Sequence, residues 1–519
     1  MRVRTFRLHV LVAAAVLASG LSSAAQTAPP ADGSSPDDAL QVTARLVVLD
    51  AVVVDRNGNF VPNLDRSKFH ITEDKVPQDI RTFDPPSGHE MPAGSNGKAI
   101  VHSSADLPRI GNAPVNILVI DELNTPYMQI AYAQQMMERY LKAQPEVLPV
   151  PTLFIAAGAT HIAVLHDFTQ SRAELIASIH KHVTEADFTA MIASLNGGRI
   201  GPTGGVELTL GALEQIATSM RGFPGRKNVI WVGTGSKRSR FSGGGLDDEK
   251  LEKVVRNVTN RMLAAHMTLY TIDPEGVTYR SDEVAIAGSP MESNLSSVGP
   301  GPGLAFESFA YSTGGRVLYQ RNDVETEIKE TTTEGALYYT LSYSPTSAGN
   351  QGRKYRKINV TVDDPSYRVI TRDGYFGGRE RVAAVAANTE KTQPRALKFD
   401  LINAARTTMV YTGLHSNVAK TADGYSLQVN ASDLQWDPQE DGSRQSEITV
   451  LAVCYDAKDK ELEQHAAELK EQIEPNDKIV DGAKVAFAFP MVEPPKTARI
   501  RFVLRDAGTG TMGSVNATP

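Results

Sequence analysis

The chain switches hydrophobic period several times. Val42–Val54 is dense in β-branched residues, and Asp55-Arg56-Asn57-Gly58-Asn59 supplies a hairpin turn before Phe60-Val61. Phe69-His70-Ile71 and Ile80-Arg81-Thr82-Phe83 alternate around Glu73-Asp74, so residues 40–85 predict a small β-sandwich module. Residues 86–112, rich in Pro, Gly, Ser and Asn, read as a linker. A different rhythm follows. The apolar run Val115–Asp121 predicts a buried strand, and a helical pattern runs from about Pro126 to Lys142. Strands Thr152–Ala157 and Ile162–Leu165 come next. Helices are expected over residues 171–183 and about Glu207–Met220. Strand Asn228–Val232, a helix over Asp247–Ala265, strand Thr268–Ile272, a helix ending near Tyr311, strand Val317–Tyr319 and helix Val324–Thr332 complete the series. This βαβ alternation predicts a doubly wound α/β domain, 113–378, with a mostly parallel sheet and helices on both faces.

Alternating strands then return. Leu337–Tyr343, Ile358–Val362 and Tyr367–Ile370 predict a β-appendage, 335–376, on that domain. Residues 379–395 read as a linker. Residues 396–519 form a C-terminal β-rich domain, with strands at Thr408–Gly413, Tyr425–Val429, Ile448–Tyr455, Val485–Phe489 and Ile500–Leu504. One charged helix, Glu461–Gln472, is expected among them. The α/β domain is thus flanked by N-terminal and C-terminal β-sandwich-like modules.

The N-terminus follows no fold period. Arg2, Arg4 and Arg7 precede the apolar run Val10–Leu21, and Ser22-Ser23-Ala24-Ala25 supplies small residues for cleavage. Residues 1–25 therefore read as a secretory signal peptide, whose apolar core falls short of the roughly 20 residues of an ordinary membrane span. A linker, 26–39, follows. No later stretch has the length of an apolar span, so the mature chain is expected to be secreted or periplasmic, without an integral membrane span. Cleavage takes the formal charge from −7 to −10. An acidic chain lacks the basic footprint of a nucleic-acid binder, and Lys237-Arg238-Ser239-Arg240 reads as a solvated loop. The single cysteine, Cys454, rules out an internal disulfide and lies in the apolar run Ile448–Tyr455, as a buried thiol would.

Candidate chemistry is sparse. His180 and His182 stand two apart on a helix and do not share a face. Gly299-Pro300-Gly301-Pro302-Gly303 follows no strand and carries prolines, unlike a dinucleotide loop. Ser236 lacks the glycine pattern of a nucleophile elbow. Asp121, Asp167 and Asp273 all end strands and could share one sheet edge as a hydrolase site; helix and loop capping is the simpler reading. Tyr338, Tyr339 and Tyr343 supply either packing or an interaction surface.

Several blocks together resemble the VWFA-related domain family of secreted acidobacterial proteins, a divergent branch of the von Willebrand factor type A fold. They are Val53-Val54-Asp55 through Gly58, Ile120-Asp121 with Asn124-Thr125, Asp167-Phe168-Thr169, Pro224-Gly225-Arg226-Lys227-Asn228-Val229-Ile230-Trp231, Tyr270 to Asp273, Thr313 to Arg316, Tyr338 to Pro345 and Arg372 to Tyr375. The match spans about residues 40–376. It implies a von Willebrand type A-like α/β domain between β-modules, and supplies no characterised reaction or ligand.

Integrin-type relatives of that fold bind Mg or Mn at the C-terminal edge of the sheet through Asp-x-Ser-x-Ser, a distant Thr and a further Asp. Hard cations need such converging oxygens. Here Asp121 matches the first position, Leu123 replaces the first Ser, and Thr125 falls on the second. Asn124 is off by one. Thr203, Glu207 and Thr209 are the loop candidates, and Thr234-Gly235 stands where Asp-Gly is expected. The resemblance therefore implies a degenerate metal site built from Asp121, Thr125, Thr203, Glu207 and Thr209. The expectation is a non-enzymatic binding or scaffold protein with no cofactor and with a protein or glycan partner. A metal-dependent (Mg/Mn) adhesion module and a carboxylate-dependent hydrolase are the alternatives.

Overall fold

The strand β1 (Val47–Val54) finds its partners almost three hundred residues away. It lies antiparallel between Tyr339–Tyr343 and Arg368–Thr371, with Leu49 opposite Leu341 and Val53 opposite Val369. The computed structural model describes residues 46–94, 99–158, 162–182, 202–233, 248–274, 306–318, 323–346, 355–376, 401–475, 479–480 and 482–519, all within one unit, Arg45–Pro519. Side chains are described from 209 in the helix that starts at Pro202, from 255 in the one that starts at Asp248 and from 309 in the one that starts at Phe306. The signal segment 1–25, the linkers 26–39 and 379–395, the Gly299–Gly303 run, Ser236 and the 237–240 cluster lie outside the described residues.

β2 (Phe69–Glu73), β3 (Val76–Gln78) and β4 (Ile80–Asp84) complete the N-terminal strands. The segment after them is more ordered than a linker: short 3-10 turns at Pro86–His89 and Ser104–Ile110 bury His89, Leu107 and Ile110.

The α/β domain comprises β5 (Val115–Asp121), α1 (Tyr127–Lys142), β6 (Val147–Ala157), β7 (Ile162–Ser171), α2 (Arg172–Lys181), α3 (Pro202–Ser219), β8 (Lys227–Val232), α4 (Asp248–Ala264), β9 (Met267–Ile272), α5 (Phe306–Ser312), β10 (Val317–Leu318) and α6 (Val324–Ala336). Its six-stranded sheet runs β10-β9-β8-β5-β6-β7. Every pair is parallel except β6–β7. The link from Ala157 to Ile162 is too short for a helical crossover, which forces that pair to be antiparallel.

The central strand β5 is buried throughout, hence its unbroken apolar run. Alternation still sorts its side chains. Val115, Ile117 and Val119 face one core with Leu210, Leu213 and Ile216 of α3, Val255, Val258 and Met262 of α4, and Phe309 of α5. Leu118 and Ile120 face the other, with Ile130, Met137 and Leu141 of α1, Leu175 and Ile179 of α2, and Val324 and Ile328 of α6. The start of α2 is fixed by Ser171, whose side chain accepts from the Glu174 N–H.

β11 (Tyr339–Tyr343), β12 (Tyr355–Val362), β13 (Arg368–Thr371) and β14 (Gly374–Phe376) then return to the N-terminal strands. Two sheets result, β13-β1-β11-β4 and β14-β12-β2-β3. The sequence separates the 40–85 module from the 335–376 appendage; the hydrogen bonding joins them in one sandwich, with a shared core of Leu49, Val53, Phe69, Ile71, Leu341 and Ile358. Periodicity reports strands and not their partners, so this union has no sequence signal. Tyr338, Tyr339 and Tyr343 are 1%, 0% and 0% exposed, which corrects the interaction-surface alternative in favour of packing.

The C-terminal region holds β15 (Ser416–Thr421), β16 (Gly424–Asn430), β17 (Asp437–Pro438), β18 (Arg444–Tyr455), β19 (Glu461–Ile473), β20 (Lys484–Pro490), β21 (Arg499–Asp506) and β22 (Met512–Ala517). A sheet β15-β16-β20 faces one in which β18 pairs with β17, β19 and β21, and β21 with β22. Ile448, Val450, Ala452 and Cys454 fill the core between them. Leu451, Val453 and Tyr455, on the other face of β18, pack against the α3–α4 side of the α/β domain. Two expectations are corrected. Glu461–Gln472 is strand β19, not a helix, and Thr408–Gly413 contributes a single bridge, Thr412 to Gly513. Thirteen residues of helix formers are held extended by their ladder to β18, a tertiary override of local propensity.

Candidate functional site

Parallel strands deliver their C-terminal residues to a common edge, where open α/β sheets take ligands. The register places Ile120, Val232 and Ile272 in one row, so Asp121, Gly233 and Asp273 follow at the edge of β5, β8 and β9. Asp167 does not join them. It sits on the antiparallel β7, five residues past the Ala157–Ile162 pairing that marks this edge, toward the opposite end of the sheet. There it accepts from the Ser104 N–H at 3.1 Å and the Ser104 hydroxyl at 2.8 Å, pinning the Ser104–Ile110 turn. The three-carboxylate arrangement is therefore not formed.

Asp121 is fully buried. Its Oδ1 accepts from the Leu123 and Asn124 backbone N–H groups, each at 3.0 Å, as in an Asx turn. The Asn124 carboxamide nitrogen donates to Asp121 Oδ2 at 3.1 Å and to Thr209 Oγ1 at 3.0 Å, bridging β5 to α3. Burial raises the Asp121 pKa above its ordinary value, against the stabilising hydrogen bonds of Asn124 and Trp231. On the far side, Gly233 presses on the same group. A Cβ there would lie 2.3 Å from Asp121 Cβ and 2.6 Å from Thr125 Oγ1, so this position admits glycine alone.

Of the residues expected to converge, Asp121, Thr125 and Thr209 do so. Thr203 and Glu207 lie on α3, and their side chains, like Thr234, are outside the described residues. Among the described side chains the arrangement does not fit a divalent cation: an amide N–H group, a donor, lies between Asp121 and Thr209 where converging oxygens would be needed. Asn124, off by one in spacing, is the residue that bridges Asp121 to Thr209.

A second buried pair adjoins it. Glu122 Oε1 meets His182 Nε2 at 2.5 Å, with side-chain exposures of 1% and 10%. His182 caps the C-terminus of α2, so the pair ties α2 to the loop after β5. His180 turns elsewhere, to Glu138 at 3.0 Å, as expected for residues two apart on a helix. The sequence contains no signal for the Glu122–His182 pair, whose members are separated by 60 residues. Beyond it, Tyr127 and Met128 open the first turn of α1 with 48% and 76% exposure.

The opposite end of the sheet carries the densest buried polar chemistry, supplied by Pro224–Trp231. Arg226 donates to Tyr270 Oη at 2.9 Å and to Asn228 Oδ1 at 3.0 Å, and its guanidinium stands 5.3 Å from the Tyr338 ring centroid. Lys227 is 0% exposed and donates to the Phe223 carbonyl. Burial brings its pKa down to about 7, with Asp50 the opposing influence. The Arg226–Asn228 part of this block ties the sheet to the sandwich, while Trp231, at its far end, reaches Asp121 at the candidate edge.

No protein-family model matches the chain, and no curated protein matches it. Its likenesses among solved structures are weak. Proximal thread matrix protein 1 from the mussel byssus is 10% identical over 44% of this chain and 49% of its own, with a TM-score of 0.25. The human COPII-coat protein Sec24c is 10% identical over 52% of this chain and 44% of its own, at 0.22. This chain thus spans about half the length of each. The VWA domain of SpRpn10 is 13% identical over 37% of this chain and 98% of its own, at 0.17.

Proposed function

We propose that the chain is a secreted or periplasmic, non-enzymatic binding or scaffold protein. Its von Willebrand type A-like α/β domain would present the C-terminal edge of the parallel sheet to a protein or glycan partner. One observation carries this reading: the edge is closed internally by the Asp121–Asn124–Thr209 bridge while Tyr127 and Met128 stand exposed beside it. Aromatic and methionine side chains are enriched where proteins bind one another, and exposed loops on a rigid sheet are the usual carriers of binding. The β-sandwiches then serve as spacers. The test is retention of native envelope and extracellular material on the immobilised mature chain. Tyr127→Ala with Met128→Lys should abolish retention and leave the melting temperature unchanged. Retention that ignores both substitutions would remove this edge from the role.

The convergence of Asp121, Thr125 and Thr209 favours one second reading, a Mg- or Mn-dependent adhesion module. It requires the Asn124 side chain to turn its oxygen inward and release Thr209. Asn124→Asp supplies a carboxylate without an amide donor and should create metal affinity where the parent chain has none. A parent chain that already binds metal would favour the second reading.

A further inference from the structure

Among the described residues, β19 pairs along only one of its two edges. Its ladder to β18 runs from Arg444–Ile473 to Tyr455–Glu461, and no described strand pairs with its other side. At about 3.3 Å per residue its thirteen residues span about 43 Å, and no described strand bonds to that side, although β20 of the facing sheet lies near part of it. The register identifies the groups on it. The Glu447 carbonyl accepts from Ala507 N–H, on the side of β21. Odd-numbered residues of β18 therefore turn their backbone toward β21 and even-numbered ones toward β19. With Ile448 opposite Leu469 and Val450 opposite Ala467, the odd residues of β19 bond to β18. Gln464, Ala466, Glu468, Lys470 and Gln472 consequently turn their N–H and C=O groups outward, and Ala466, Glu468, Lys470 and Gln472 are exposed.

The charge of this edge is one-sided. Glu461, Glu463, Glu468 and Glu471 stand against Lys470, which is itself held by Glu447 at 2.9 Å. Two of the four have basic side chains nearby, Arg406 at 3.8 Å from Glu461 and the imidazole of His465 at 3.6 Å from Glu463. Like charges directly opposite destabilise a strand pair and opposite charges stabilise it. The edge therefore repels a second copy of itself and selects a partner of the other sign.

We propose that the outer edge of β19 docks an extended basic peptide segment by strand addition. Backbone hydrogen bonds to the outward groups of Gln464–Gln472 supply the affinity, and the glutamates supply the selectivity. The composition of β19 fits this role. A strand of helix formers held by one ladder gains from a second.

The test is calorimetric titration of the full chain with a ten-residue alternating Lys-Thr peptide. Its Glu-Thr counterpart and a version N-methylated on alternate residues, with charge kept and N–H removed, are the controls. The Lys-Thr peptide alone should bind, more weakly as salt rises. Ala466→Pro removes an outward N–H without touching the β18 ladder, and edge strands tolerate proline; it should abolish binding with the melting temperature kept. Glu468→Lys should weaken binding about tenfold, and covers the case in which the proline variant fails to fold. Absence of binding, equal binding of the N-methylated peptide, or binding unchanged in both variants would overturn the proposal. So would concentration-dependent dimerisation lost on Ala466→Pro, which would assign the edge to a second copy.

Discussion

Asp121 and Asn124 show how a carboxylate at a ligand edge can be committed to the chain itself. Two backbone N–H groups and one carboxamide satisfy Asp121, and Gly233 leaves no room beside it. Asp121→Ala would strand those donors in a buried loop and should cost about 1–3 kcal/mol. Urea denaturation with and without magnesium checks this, and the loss should be the same in both. Lys227 gives a pH signature. Its pKa falls from 10.5 unfolded to about 7 folded. Below pH 7 both states carry the proton and the cost of burying it is full. Between about 7 and 10.5 the folded state sheds it first, so stability rises with pH across that window. Lys227→Met should stabilise the chain at pH 7 by about 1–4 kcal/mol and flatten the rise, as removal of a buried charge does. Denaturation at pH 7 and pH 9.5 measures both. Cys454 is buried in the C-terminal core, so a thiol reagent should leave it unmodified in the native chain and react fully in urea.

At the scale of elements, β5 was legible because a strand buried on both faces reads as a continuous apolar run, and the helices of the α/β domain because each repeats its apolar residues on one face. β19 was not, because Glu, Leu, Gln, Ala and Lys prefer helix and the twelve-pair ladder to β18 holds them extended. The candidate site divides in the same way. Asp121 and Thr125 follow from their spacing after β5, whereas Thr209, inside α3 and not on a loop, was one of three candidates that spacing did not separate. Asn124 and the Glu122–His182 pair depend on loop geometry and on contacts across 60 residues, which no local pattern encodes. One element-scale consequence is that Leu118→Ala, on the α1–α2 face of β5, should cost about 2–5 kcal/mol. Thermal denaturation of the variant measures it. Exposed positions on β19 should cost little, as most surface substitutions do.

At the scale of the molecule, residues from the two ends of the first 376 close a single sandwich, with the α/β domain inserted between its strands. Removing residues 40–85 would strip β11 and β13 of their described strand partners and leave β12 only β14. Hydrogen exchange on the intact chain should show β1–β4 and β11–β14 gaining and losing protection together, as one cooperative unit. Arg226 and Tyr338 tie that sandwich to the N-terminal end of the sheet, away from the C-terminal edge to which the proposed function assigns binding. No described helix is long and apolar enough to cross a membrane. The central claim is that this edge binds through its surface residues and not through a metal held by Asp121. Calorimetric titration of the mature chain with magnesium and manganese tests it most directly. The expected result is no saturable heat and no change in melting temperature at millimolar metal. Saturable heat that disappears in Asp121→Ala would contradict it.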